Sequence, residues 1–408
     1  AIMKYFPDPN NTDPSVAPWQ RNLAWAEHFN KDLFWNWVGK VDHNFGANDR
    51  AFFRWAENER NEIGNRGNAI RSGPAQVGQL PLIRSNRAVV GDWVHIFGAG
   101  SVFNLRGGYT YFLEWSQSRD AFNFDATEFW PKSLVDQFPS KALGGIFPRI
   151  EVDDFEQLSR GTAPNRNKNW SLQPNVSLTR GAHNIRSGLD MRWTNVHNEN
   201  YNNSGGRVQF NRDFTERTLN STNVLEGNSF ASFLLGAPSS GEVAVNPKPH
   251  YKWFFMAPWI QDDWRVTSNL TLNLGFRWDV NGSVKEANNM LNYAFDPTIV
   301  NPVSARVGQP VMGGIRFVGV DGAPDRPWKL DKNNYQFRFG TAYTLNDKTV
   351  LRAGYGKYFL NPTSQGNNAG FSLSTPLIAS NDGGRTPTYA LSNPWPDGIQ
   401  KPPGSALG

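Results

Sequence analysis

LTLNLGFRWDV, Leu270 to Val280, alternates without an error: Leu270, Leu272, Leu274, Phe276, Trp278 and Val280 hold one parity, and Thr271, Asn273, Gly275, Arg277 and Asp279 the other. A period of two sends the two sets to opposite faces of a β-strand, whereas an amphipathic helix would repeat its apolar residues at three and four. The segment therefore predicts a strand with one apolar and one polar face.

The same pattern recurs on both sides of it. Trp170, Leu172, Pro174, Val176 and Leu178 alternate with polar residues, although Pro174 gives up a ladder hydrogen bond, and Ile185, Leu189, Met191 and Trp193 follow after the tight turn RGAH. Leu33 to Asp42 and Arg50 to Asn58 flank NFGAND, and Ala88 to Phe97 and Val102 to Ser116 flank GAG. Trp253 to Val266 runs through TSN into the opening segment, and Tyr335 to Leu345 joins Thr349 to Phe359 through NDK. These runs predict about five hairpins and about ten strands.

Between hairpins the connectors are long: roughly Glu59 to Arg87, Gln117 to Asn169, Asn198 to Tyr251 and Asn281 to Asn334, rich in Gly, Pro, Asn and Ser. Strands of about ten residues, with short turns at one end and long loops at the other, describe an antiparallel transmembrane β-barrel of the outer-membrane type. Period two alone does not separate such a barrel from a soluble sheet, so the loop asymmetry carries the distinction. Trp35, Trp37, Trp55, Trp115, Trp253, Trp259, Trp264 and Trp278 fall in or at the ends of predicted strands. Of these, Trp35, Trp37, Trp253, Trp259, Trp264 and Trp278 are the candidates for aromatic girdles at the two membrane surfaces. The competing expectation is a soluble, aromatic-rich carbohydrate-binding β protein.

Composition agrees with an all-β chain. Among 408 residues there are 38 Gly and 27 Pro, with 13% aromatics and 19% charged residues. No apolar run approaches the ~18 residues of a membrane-crossing helix, and the low mean hydropathy does not exclude a barrel, because alternation cancels in any window average. Cysteine is absent, which excludes disulfides, thiolate metal sites and cysteine nucleophiles. Net charge is +5, but the basic residues are scattered, and nucleic acid is not an expected partner.

With the strands placed, a longer stretch becomes informative. WIQDDWRVTSNLTLNLGFRWDV, Trp259 to Val280, resembles the Gln-Asp-Asp-Trp hairpin of Oar-like TonB-dependent receptors. KVDHNFGANDRAFFRW (Lys40 to Trp55), SFASFLLGAPSS (Ser229 to Ser240) and TVLRAGYGKYF (Thr349 to Phe359) are similar to further segments of that family, in its order. The resemblance implies a 22-stranded barrel closed by an N-terminal plug and energised through TonB. It implies as partners outer-membrane lipid and lipopolysaccharide, the TonB complex reached through N-terminal regions, and a small or oligomeric solute such as a glycan, peptide or chelate.

The opening AIMKYFPDPN has no signal-peptide pattern, and no plug or TonB box precedes Leu33. The chain is therefore expected to be an internal piece: an extracellular loop segment at 1–32, central barrel strands at 33–361, and a truncated extracellular loop segment at 362–408.

Chemistry is sparse. His28, His43, His95, His183, His197 and His250 show no metal-ligand spacing. Asp262 and Asp263 are adjacent in a predicted strand and should face opposite ways. Asp153, Asp154 and Glu156, or Asp321 and Asp325, lack the spacing of a calcium loop. No nucleophile elbow is present, and LRGG (Leu105 to Gly108) falls inside a strand rather than opening a helix. Neither enzyme activity, nor a metal, nor another cofactor is expected. Arg186, Asp190, Arg192, Arg277, Asp279 and Arg338 occupy the polar parity and are the candidates to line a lumen, either as a solvated wall or against a plug or solute. Transport is the expected function, with adhesion or export on the same fold as the rival within the outer membrane.

Overall fold

The computed structural model describes residues 1–6, 8, 11–16, 30–64, 73–75, 82–116, 121–155, 157–159, 163–219, 221–223, 225–360 and 366–406. His28, Glu156 and residues 361–365, which include the expected boundary at 361, lie outside the described residues.

Ten long strands form one sheet: β1 Asn30–Asn44, β2 Asp49–Gly64, β3 Leu82–Gly98, β4 Ser101–Ser116, β5 Asn165–Arg180, β6 His183–Asn198, β7 His250–Arg265, β8 Leu270–Asn281, β9 Asp331–Asn346 and β10 Thr349–Gly356. Each pairs antiparallel with the next in chain order, so the sheet is a meander from β1 to β10. Among the described residues β1 and β10 do not pair with each other, and the sheet is an open wall rather than a closed cylinder. All five expected hairpins are present, and the short turns share one end of the wall.

The strands run further into the long-connector end than their sequence suggests. β2 continues through NERNEIG to Gly64 and β3 begins at Leu82, in stretches that read as polar loop. Cross-strand ion pairs on a single face account for the extension: Arg60 bonds Asp32 at 2.6 Å, while Arg84 bridges Glu62 at 2.7 Å and Glu114 at 2.8 Å. Opposite charges facing each other stabilise a ladder where alternating hydrophobes are lacking. A 16-residue strand tilted by about 40° climbs about 40 Å, so these upper parts stand clear of an apolar band about 25 Å tall.

Register assigns the faces. One runs through Trp55, Val89, Tyr109, Trp170, Trp193 and Phe254 on successive strands, and further along through Ile260, Phe276 and Phe337. Trp37, Val41, Phe53, Trp93, Phe337, Phe339 and Tyr355 on this outer face are exposed, which is the reverse of a water-soluble sheet. The ten residue steps from Phe254 to Trp264 span about 26 Å of height at the same tilt, the thickness of a hydrocarbon band between two aromatic margins. The inner face carries Asn175, Arg186, Asp190, Arg277, Gln336 and Arg338.

The long connectors are folded. Arg149–Val152, Arg207–Phe210, Ser240–Val245 and Leu373–Pro376 form a four-stranded mixed sheet in which the first two pair in parallel. Around it Ile2, Phe124, Trp130, Phe147, Phe210, Phe233 and Trp395 make a buried core drawn from both terminal regions and two connectors. The helix Ser229–Leu234 supplies Phe233 and is capped by the Asn228 side chain, which accepts from the Ala231 N–H. The connector between β8 and β9 forms a separate hairpin, Asn292–Val300 with Met312–Phe317. Its Val284, Leu291 and Val318 pack on Val196 and Tyr251 of the wall, with Trp253 and Trp328 alongside.

Candidate lumen wall and lipid-facing girdle

The inner face of β5 to β9 concentrates charge. Asp190, 7% exposed, accepts from Arg192 at 2.7 Å and from Arg277 at 3.3 Å, and Arg277 also bonds Asp279 at 2.7 Å. Both guanidinium groups lie 5.7 Å from the ring centre of Phe255, one toward each neighbouring strand. The structure thus joins four of the six lumen candidates into one network. Arg186 stands apart, bonded to Asp263 at 2.8 Å.

Arg338 is the sixth. Among the described residues it makes no ion pair, and its guanidinium lies 5.2 Å from the ring centre of Tyr358. It borders a cleft of about 250 Å³ with Trp259, Gln261, Gly275 and Arg277. Two glycines make this surface possible. A Cβ on Gly275 would lie 3.3 Å from Arg338 Cβ, and one on Gly188 would lie 3.0 Å from the Trp259 ring. Each bulky side chain therefore rests over a neighbouring strand that offers it no side chain.

Trp253 and Trp259 do not belong to a lipid-facing girdle. Trp259 is opposite Gly188 and Arg277, and Trp253 opposite Thr194, so both share the face of Arg186 and Asp190. Their parity in β7 is that of Gln261 and Asp263, and Trp253 is held between the wall and the β8–β9 connector. The outward parity is that of Phe254, Ile260 and Trp264. Trp35, Trp37, Trp264 and Trp278 lie on the outer face; Trp264 stacks on His183 with centroids 5.2 Å apart, and Trp278 on Tyr335 at 6.0 Å. The row Trp55, Tyr109, Trp170, Trp193 and Phe254 adds a margin that counting parity through each hairpin would have found; Tyr109 meets Trp170 at 5.2 Å, and Trp193 meets Phe254 at the same distance.

Asp262 and Asp263 point apart. Asp262 bonds His183 at 2.7 Å on the outer face near the turn, and Asp49 bonds His95 at 2.7 Å in the same setting. In the loops, Asp153 accepts from Gln209 and Asp325 pairs with Lys285. Among the described residues no three His, Asp or Glu side chains gather where a metal ion could sit, and no helix is long and apolar enough to cross a membrane.

An open antiparallel wall with an exposed apolar outer face, aromatic margins and a charged inner face is the construction of an outer-membrane barrel. The chain matches the family "Outer membrane beta barrel domain" over residues 1–408, and it belongs to that family. Its location is the bacterial outer membrane.

Among solved structures it is similar to the ferripyoverdine receptor of the outer membrane of Pseudomonas aeruginosa, with 11% identity and a TM-score of 0.41 over 80% of this chain and 35% of that one. It is also similar to the copper transporter OprC, with 11% identity and a TM-score of 0.42 over 80% and 37%. The third is the ferric-catecholate import receptor Fiu from E. coli K12 in its open form, with 13% identity and a TM-score of 0.40 over 80% and 47%. The chain thus spans 35 to 47% of the length of these structures. A search of curated proteins returned no match.

Proposed function

We propose that this chain is part of the barrel wall of a TonB-dependent receptor that takes up a solute across the outer membrane, with its turns in the periplasm and its folded connectors outside the cell. The observation that supports this best is the inner wall, where Asp190, Arg192, Arg277 and Asp279 are tied together while Arg338 faces a cleft with no ionic partner among the described residues. Such a surface suits a plug or a passing polar solute more than an inert water-filled pore. The resemblance of Trp259 to Val280 to the Oar-like hairpin points the same way, and a 22-strand barrel and a TonB partner belong to this reading. It assigns the chain no catalysis. Phe124, Trp130, Phe147 and Trp395 are packed in the core of the connector assembly, whereas Tyr293 and Phe295 of the β8–β9 connector are exposed, so glycans, peptides and iron chelates enter on equal terms as solutes.

The test is growth of a strain lacking the parent gene on a panel of chelates, glycans and peptides as sole sources. Loss of growth on one class, reproduced by removing TonB, supports uptake. Unchanged growth on all of them, accompanied by loss of cell attachment or of a secreted product, would assign the wall to adhesion or export.

A further inference from the structure

At the long-connector end of β6 and β7 two histidines face each other. His197 is the register partner of His250, and their ring centres lie 5.3 Å apart on the outer face. They stand four residues beyond Trp193 and Phe254, outside the apolar band. At neutral pH both imidazoles are largely uncharged and the pair is tolerated, because histidine takes its proton near pH 6.5 or about there. At lower pH two like charges stand directly opposite one another, an arrangement that destabilises a sheet.

The surroundings provide for one proton and not for two. Arg166 and Lys168 of β5 and Lys252 of β7 add positive charge around the rings. Lys285 of the β8–β9 connector, itself paired with Asp325, faces Lys252. Glu199 lies 3.5 Å from the His197 Nδ1 and also serves Arg166 and the Tyr201 hydroxyl. Glu286 is fully buried and accepts from the backbone N–H groups of His250 at 2.9 Å, Asn288 at 2.7 Å and Met290 at 2.9 Å. By contrast His95 and His183, at the turn end, each bond a carboxylate of their own, so a proton there is matched by charge.

His250 is also where the connector is fastened. Its carbonyl accepts from the Ala287 N–H at 3.0 Å, and the short strand Lys285–Glu286 pairs with Tyr251 and Lys252. The adjacent residues of opposite parity, Val196 and Tyr251, carry the apolar contact with Val284, Leu291 and Val318. Spreading β6 from β7 at the histidines therefore disturbs the polar and the apolar fastening together.

We propose that His197 and His250 form an acid-operated latch, which holds the β8–β9 connector on the wall at neutral pH and loosens it when both rings are protonated. The fold favours the neutral pair, so its contribution is complete above the ordinary histidine value of about 6.5 and is lost progressively as pH falls below it. The latch goes beyond the uptake reading, because it moves a connector in response to acid whatever solute the barrel admits.

The experiment is hydrogen exchange of backbone amides in the full-length protein purified in detergent, at about pH 7.5 and about pH 5.5, with intrinsic exchange rates divided out. It needs neither transport nor a known orientation, so its failure leaves the uptake reading standing. The amides of Ala287, Asn288 and Met290 should lose protection roughly tenfold at the lower pH, while those of Arg385 and Thr386 stay protected. His197→Gln with His250→Gln should keep Ala287, Asn288 and Met290 equally protected at both pH values, since glutamine takes no proton. His250→Gln alone should do the same, because a proton on His197 then meets Glu199 and no second imidazolium. Unchanged protection in the unaltered protein, or the same acid-induced loss in either glutamine variant, would overturn the latch. Loss that extends to Arg385 and Thr386 would overturn it as well, by showing general unfolding.

Discussion

The indole of Trp259 lies over Gly188 of the neighbouring strand, where a Cβ would come within 3.0 Å of the ring, 2.8 Å of Asn175 Cβ and 2.8 Å of the Pro174 carbonyl oxygen. Gly188→Ala is expected to destabilise the barrel by about 1 to 3 kcal/mol, because backbone on one side and a packed ring on the other leave no room to relax. Gly91, with nothing within 4 Å of its added Cβ, is the control, and Gly91→Ala should be neutral or slightly stabilising. Urea unfolding in detergent compares the two; equal effects would remove the indole from this position.

Facing is tested at Phe337, exposed on the outer face opposite Phe276, near mid-height of the band. Phe337→Arg should cost about 2 to 4 kcal/mol in bilayers, whereas Phe337→Leu should be close to neutral against fluid lipid. Leu272 is opposite Trp264 near the turn, so Leu272→Arg should cost less than Phe337→Arg, its guanidinium reaching headgroups. A larger penalty at Leu272 would misplace the band.

Orientation is accessible because the chain has no cysteine, so each introduced thiol reports one position. A membrane-impermeant label on intact cells should modify Lys132→Cys and Val307→Cys in the connectors and leave Ala182→Cys and Asp347→Cys in the turns unmodified. The reverse pattern would invert the proposed topology.

Trp130 joins the connector assembly across the chain: it packs edge-on against Trp395 at 5.8 Å, and its indole N–H donates to the Leu391 carbonyl at 3.0 Å. Trp130→Ala should destabilise that assembly by about 3 to 5 kcal/mol. Limited proteolysis should then cut the connectors while heat-modifiable gel migration of the strands persists. Simultaneous loss of both would show that connectors and wall unfold as one unit.

Asp382 gives a pH dependence outside the membrane. Its carboxylate accepts from the Ser380 and Thr386 hydroxyls and from the backbone N–H groups of Thr386 and Arg385, and these bonds hold its pKa far below the ordinary carboxylate value. A depressed folded-state pKa means that its contribution is fully present above the unfolded value of about 3.9 and is lost only as pH falls through the lower, folded one. Backbone amide protection at Arg385 and Thr386 should therefore persist at pH 4 and vanish at neutral pH in Asp382→Ala. Loss of protection already at pH 5 in the unaltered protein would contradict the assignment.

All ten strands were legible because alternation is local: Leu270 to Val280 carries its face assignment within eleven letters. Parity within β7 is the exception: Trp253 and Trp259 stand at odd offsets from Trp264, so the three do not share a face although all are tryptophans of one strand. The extended ends of β2 and β3 were hidden because their stabilisation is an ion-pair ladder between segments far apart in the sequence. The mixed sheet was invisible for the same reason in stronger form: Arg149–Val152 and Leu373–Pro376 are four residues each, with partners chosen by the fold. Asn228 ahead of SFASFL is a helix cap readable in the sequence, and it caps the short helix Ser229–Leu234. Of the inner wall, the charged positions could be read, but not their pairing, nor the roles of Phe255, Gly188 and Gly275.

Leu373–Pro376 pairs with Ser240–Val245, which pairs through Arg207–Phe210 to Arg149–Val152, so a sheet begun early in the chain is finished by a segment that emerges after β10. Sequential delivery of hairpins cannot complete it. Contacts of such large sequence separation carry a high loop-closure cost and form late. Maturation of this protein should accordingly show a fast phase, the stacking of adjacent hairpins, followed by a slow one in which the connectors lock. During that interval the strands are already paired while the aromatic core of the connectors is still open to chaperones and proteases.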